Sequence, residues 1–124
     1  MKELTLGQNL DMEDGAYQKA LEQREDFQKR VEAMMDELGI DVIAYPTFKS
    51  PPPLIGTEYR EFNNGALSAV SGLPAISVPA GFTEDGLPVG IEFAARLYEE
   101  ETLIQLAYAF EQLTKHRTLP PTTP

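Results

Sequence analysis

Apolar positions recur at threes and fours from Tyr17 onward. Tyr17, Ala20, Leu21, Phe27, Val31, Met34, Met35 and Leu38 draw one stripe, with Glu22, Glu25, Lys29 and Glu32 on the other faces. A period of 3.6 with polar flanks predicts a long amphipathic helix over 15–38. Asp11 and Asp14 suit its start, and Gly39 suits its stop. The period then changes. Asp41-Val42-Ile43-Ala44-Tyr45-Pro46 is a short apolar run, which reads as a buried strand closed by Pro46, a residue without an N–H donor. Pro51, Pro52 and Pro53 forbid a regular ladder, so 47–62 reads as a long loop of the kind that lines sites. A short helix is expected over 64–71.

Alternation returns in Ala75-Ile76-Ser77-Val78 and in Val89-Gly90-Ile91-Glu92-Phe93-Ala94. The intervening Asp85-Gly86 marks a β-hairpin. Ile76 and Val78 are expected to share a face with Val89, Ile91 and Phe93. Ala75, Ser77, Gly90 and Ala94 fall on the other face, where small groups admit a close layer. A last helix is expected over 99–114, with Leu103, Leu106, Ala107, Phe110 and Leu113 as its stripe. Glu99, Glu100 and Glu101 stand at its positive end and Lys115, His116 and Arg117 at its negative end. The order predicts an α/β layer structure: a small mixed sheet that includes a hairpin, packed with two amphipathic helices. The division is an irregular lead-in over 1–14 and one structural unit over 15–124.

Composition narrows the function classes. With 42% hydrophobic and 24% charged residues among 124, the chain reads as an ordinary globular polypeptide. Ten basic residues against twenty acidic ones give a net charge of −10, which argues against nucleic acid and anionic lipid as partners. There is no cysteine and one histidine. That removes thiol nucleophiles and multi-histidine metal sites within one chain. No apolar run is long enough to span a bilayer, and the first residues lack a signal-peptide pattern, so a cytoplasmic location is expected.

The search for chemistry returns no complete catalytic set. No Gly-x-Ser-x-Gly elbow occurs, and the glycines at 81, 86 and 90 do not form a phosphate loop. Ala16 stands where a calcium loop starting at Asp11 needs glycine. Ser68, Ser71 and Ser77 have His116 as the only imidazole base available, and a helix-end role explains that histidine more simply. Lys49-Ser50 reads as solvated loop. The best candidate for substrate binding is the group Tyr59, Glu61, Asn63 and Asn64 beside Gly65, which joins an aromatic ring, a carboxylate and amides. A capped entry to the short helix is the competing account. No catalytic residue, metal ligand or cofactor is assigned.

One long stretch points to a family. Ser71-Gly72-Leu73-Pro74-Ala75-Ile76-Ser77-Val78-Pro79-Ala80-Gly81-Phe82 resembles the most characteristic C-terminal stretch of the amidase signature family. Asp85-Gly86-Leu87-Pro88-Val89-Gly90-Ile91-Glu92-Phe93 resembles its next string, and 101–112 its final helix. Asp41 to Thr47 resembles the strand ending in Pro-Thr that enters the family's substrate region. The likeness covers about 15–124, nearest to broad-range amidases and to enzymes of the 6-aminohexanoate cyclic dimer hydrolase type. It implies amide hydrolysis by a lysine, a bridging serine and a nucleophilic serine, with an oxyanion loop rich in glycine and serine. Those groups lie in the earlier, larger part of the family's chains, and no position here matches them. Many members carry Asn three residues before the glycine of Gly-Leu-Pro, where this chain has Ala69, so the substrate stays open. The resemblance implies the C-terminal portion of an amidase, inactive alone. Two rivals are a homo-oligomeric association module that pairs through a sheet edge or apolar face, and the docking half of a split amidase.

Overall fold

The longest element is a helix of 24 residues, α1 (Gly15–Leu38), in a computed structural model that describes residues 15–57 and 64–119. The expected lead-in over 1–14 lies outside these residues. The remaining elements are β1 (Val42–Pro46), α2 (Ala66–Ser71), β2 (Ala75–Phe82), β3 (Pro88–Ala95) and α3 (Glu100–Thr114). Helix α1 stops where glycine permits. Gly39 adopts φ +65°, and the Ile40 N–H donates to the Met35 carbonyl at 3.0 Å, which closes the helix end and satisfies an orphan carbonyl.

The sheet runs in the order β1-β3-β2. Both pairings are antiparallel, so the described sheet is antiparallel where a mixed one was expected. The reason is local: β2 and β3 are a hairpin, and β1 pairs with the other side of β3 in the same antiparallel sense. Prolines fit this order. Pro46 ends one edge strand and Pro79 lies in the other, while the central strand has proline only at its first residue, Pro88. Positions without an N–H donor are tolerated there and not inside a central ladder. Near Pro79 the register slips, so that Pro79 faces Gly90 and Gly81 faces Val89, leaving Ala80 as the extra residue of a bulge.

Two helical layers cover the two faces. Ile76 pairs with Phe93 and Val78 with Ile91, as the alternation predicts. With Val42 and Ala95 they meet Leu103, Leu106 and Phe110 of α3. The Phe93 and Phe110 rings lie edge to face at 5.6 Å. On the other face Ile43 packs with Val31 and Met35 of α1, with Leu67 of α2 and with Leu73. Arg96, just past β3, fastens this layer. Its guanidinium donates to Asp36 at 2.7 Å and to the Ile40 carbonyl at 2.9 Å.

Much of each predicted stripe is uncovered. Only Val31 and Met35 of α1 are buried, while Leu21, Phe27, Met34 and Leu38 are exposed. On α3, Leu103 and Ala107 are buried, but Leu113 is 85% exposed. At the end of α3 it is Lys115 that takes the left-handed cap position, φ +51°. The expected role of His116 is therefore corrected. Its ring tilts against Phe110 at 6.4 Å and lies beside Gly81.

Candidate functional site

The alternation that buries Phe93 against α3 turns Glu92 toward the other face. In the register Tyr45 and Ser77 flank Glu92 across the sheet. Glu92 is nearly buried, and such a carboxylate needs donors. The Tyr45 hydroxyl donates to its Oε1 at 2.5 Å, and the Ser68 hydroxyl of α2 approaches the same oxygen at 3.4 Å. Burial, and then the Glu92 carboxylate as acceptor, push the Tyr45 phenol well above its ordinary pKa. One step along the sheet, the Thr47 and Ser77 hydroxyls bond at 2.7 Å. They meet above Gly90, where an added Cβ would lie 3.0 Å from Thr47 Oγ1 and 3.1 Å from Ser77 Oγ.

Asn64 joins this group. Its side-chain amide donates to the Pro46 carbonyl at 2.6 Å, and its backbone N–H donates to the Thr47 carbonyl at 3.1 Å. Of the four residues expected to bind substrate, Asn64 thus anchors the start of α2 to the end of β1. Tyr59, Glu61 and Asn63 lie outside the described residues. Tyr45, Glu92 and Thr47 were not singled out as site residues from the sequence, and Ser68 and Ser77 were weighed there only as nucleophiles. A signal existed: Glu92 is a lone charge inside an otherwise apolar strand.

The serines have structural partners. Ser71 Oγ donates to the Leu67 carbonyl and accepts from the Leu73 N–H at 3.2 Å. Ser68 Oγ also faces the Gly65 carbonyl at 3.3 Å. The cluster acts as a hydrogen-bonded tie between α2 and all three strands, and pairs none of these serines with a lysine or histidine base among the described residues. No group of three or more metal-ligating residues occurs there either.

A groove of about 690 Å³ opens where the loop after β1 leaves the sheet. That volume is in the range of small-molecule sites. Its floor is Ala44, Pro46, Val89 and Ile91, and its wall is Phe48 with Pro51, Pro52 and Pro53. Lys49 is the charged residue of the lining, and Tyr45, Ser50 and Thr83 are its hydroxyl groups. Such a surface favours an apolar occupant.

Residues 2–104 match the amidase family. A glutamyl-tRNA(Gln) amidotransferase subunit of Desulforudis audaxviator (strain MP104C) is 38% identical over 119 residues, covering 90% of this chain and 24% of that protein. The native peptide amidase of Stenotrophomonas maltophilia superposes with a TM-score of 0.74 at 28% identity, over 94% of this chain and 24% of that one. A 6-aminohexanoate cyclic dimer hydrolase does so with a TM-score of 0.65 at 27% identity, over 81% of this chain and 25% of that one. The chain therefore spans about a quarter of the length of these relatives.

Proposed function

The chain belongs to the amidase family, and from that we propose that it is the C-terminal portion of an enzyme that hydrolyses carbon–nitrogen bonds of amides. In this reading it walls the substrate cleft with the groove beside β1 and holds that wall in place through the Tyr45–Glu92–Ser68 tie. The nucleophile, its base and the oxyanion donors belong to the remaining three quarters of the enzyme, so the 124-residue chain is inactive alone. The observation that carries this reading is the pairing of near-complete coverage of this chain with quarter coverage of its relatives. A cytoplasmic location is part of the proposal. Among the described residues no helix is long and apolar enough to cross a membrane.

The test is reconstitution. The purified chain is assayed for ammonia release from simple amides, alone and with a separately expressed peptide amidase core lacking the equivalent segment. No release by the chain alone and release on mixing is the expected result. Hydrolysis by the chain alone that disappears when Ser68 or Ser77 is changed to Ala would overturn the proposal. The uncovered helix stripes and the position of β1 and β2 as edge strands of the described sheet favour association as a second reading, and activity restored in trans would equally identify the docking half of a split enzyme.

A further inference from the structure

Backbone conformation does not account for the glycine at position 90. Gly39, Gly56, Gly72, Gly81 and Gly86 take a positive φ, and Gly90 is not among them. What a side chain there lacks is room. Thr47, just past β1, and Ser77, in β2, reach over β3 from opposite sides, and their hydroxyl oxygens meet at 2.7 Å. Adjacent strands lie about 4.8 Å apart, so the two strands flanking a central one stand roughly 10 Å from each other. The hydroxyls meet because no Cβ stands between them. One on Gly90 would lie 3.0 Å from Thr47 Oγ1 and 3.1 Å from Ser77 Oγ. Thr47 is also held from both ends. Its N–H donates to the Gly90 carbonyl at 3.0 Å, and its own carbonyl accepts from the Asn64 N–H at 3.1 Å. The hydroxyl pair is thus set in place before any ligand arrives.

As a fastening the pair contributes little. Its bond is exposed, so water competes for both hydroxyls, while a glycine inside the central strand weakens that strand and marks a close approach. The pair has spare hydrogen-bonding capacity instead. Each hydroxyl carries one O–H and two lone pairs, and the mutual bond uses one O–H and one lone pair. One O–H and several lone pairs remain, on two oxygens 2.7 Å apart. Gly90 and the pair line a shallow hollow of about 370 Å³ together with Phe48, Pro79 and Val89. None of the described residues lining it is charged. An ion there would lose hydration without gaining a counter-charge, so the hollow favours a neutral ligand. Such a ligand must offer an acceptor and a donor side by side.

We infer that Thr47 and Ser77 form a subsite for a primary carboxamide, the amide of the substrate in the amidase reading, on which this assignment rests. One edge of a primary carboxamide carries its C=O and an N–H on the same side. The free hydroxyl O–H donates to that carbonyl oxygen, and the other hydroxyl accepts from that N–H. A trans secondary amide turns its N–H away from its C=O, so it can satisfy only one of the two hydroxyls. The subsite therefore selects amides whose hydrolysis releases ammonia over internal peptide bonds. The carbonyl's second lone pair and the second N–H stay available to the oxyanion donors and nucleophile of the larger portion. Apolar atoms of the ligand lie against Phe48 and Val89.

Nuclear magnetic resonance of the isotope-labelled chain tests this, with propionamide, N-methylpropionamide and methyl propionate as probes. Propionamide is expected to move the backbone signals of Thr47, Ser77 and Gly90 saturably, with a Kd on the order of millimolar. The other two probes are expected to bind about tenfold more weakly, through the loss of one hydrogen bond. Thr47→Val with Ser77→Ala removes both hydroxyls and abolishes the shift at Gly90, while circular dichroism stays unchanged because the lost bond is exposed. Gly90→Ala keeps both hydroxyls but fills the space beneath them, and it too weakens propionamide. Equal binding of propionamide and N-methylpropionamide would sink the assignment. So would shifts centred on Ala44 and Ile91 of the apolar groove, shifts that persist in the double variant, or no shift up to about 100 mM, far above millimolar affinity. None of these outcomes touches the amidase reading, which ammonia release on reconstitution tests separately.

Discussion

Tyr45 and Glu92 stand in different strands, 47 positions apart, yet share one short hydrogen bond. Removing the phenolic hydroxyl leaves a nearly buried carboxylate with Ser68 as its remaining side-chain donor, at 3.4 Å. Tyr45→Phe is therefore expected to cost about 1–3 kcal/mol, the usual penalty for stranding a buried acceptor, read as a drop in urea midpoint at neutral pH. The same contact sets a pH dependence. Burial and the neighbouring carboxylate keep the folded phenol protonated to a higher pH than the unfolded one. Below the ordinary phenol pKa of about 10 both states carry the proton and nothing changes. Above it the unfolded chain sheds a proton that the folded chain retains, so stability falls as pH rises. Urea midpoints between about pH 8 and about pH 11 should fall more steeply for the wild type than for Tyr45→Phe, and parallel curves would clear Tyr45 of any role.

The elements differ in how far they are anchored. Helix α1 runs about 36 Å at 1.5 Å per residue, yet its buried side chains, Val31 and Met35, lie in its C-terminal half. Met35 is fully enclosed, so Met35→Ala should cost about 2–5 kcal/mol through the cavity it leaves. Leu113→Ala, at the far end of α3, should change the stability of the isolated chain by less than about 0.5 kcal/mol, as exposed sites do. Chemical denaturation of both variants checks the contrast, and a costly Leu113 change would mean that something already covers that face. Sequence periodicity alone ranks these residues together. The 3.6 period, Gly39 and the Asp-Gly turn were enough to locate α1, the hairpin and α3, because each is a local signal. Which part of a stripe is covered is set by what packs on it, and among the described residues nothing buries Leu21, Phe27, Met34 or Leu38. The Tyr45–Glu92–Ser68 tie was hidden for a related reason. It exists only once the register puts 45 beside 92 and sets α2 above them. The bulge at Ala80 escaped notice because the alternating residues around it read as continuous strand.

At the scale of the whole chain the imbalance becomes thermodynamic. Among the described residues eight apolar side chains are buried, and three of those are alanines, Ala94, Ala95 and Ala107. Sixteen large hydrophobic side chains are exposed. A core of so few large groups offsets the conformational entropy of folding only narrowly. The exposed set includes Leu21, Phe27, Met34 and Leu38 along α1 and Ile104, Tyr108 and Leu113 along α3. The isolated chain should therefore bind the dye ANS and should melt over a broad range. Supplying the amidase core should quench the dye signal and sharpen the transition, because a partner that binds only the folded form stabilises it by mass action. The two readings separate cleanly on this point. A chain whose apolar helix faces are built for a missing larger portion changes its melting when that portion arrives. A chain that is complete as a self-pairing module does not, and would instead melt cooperatively by itself, in the range of about 45–65 °C common to mesophilic domains, with little dye bound.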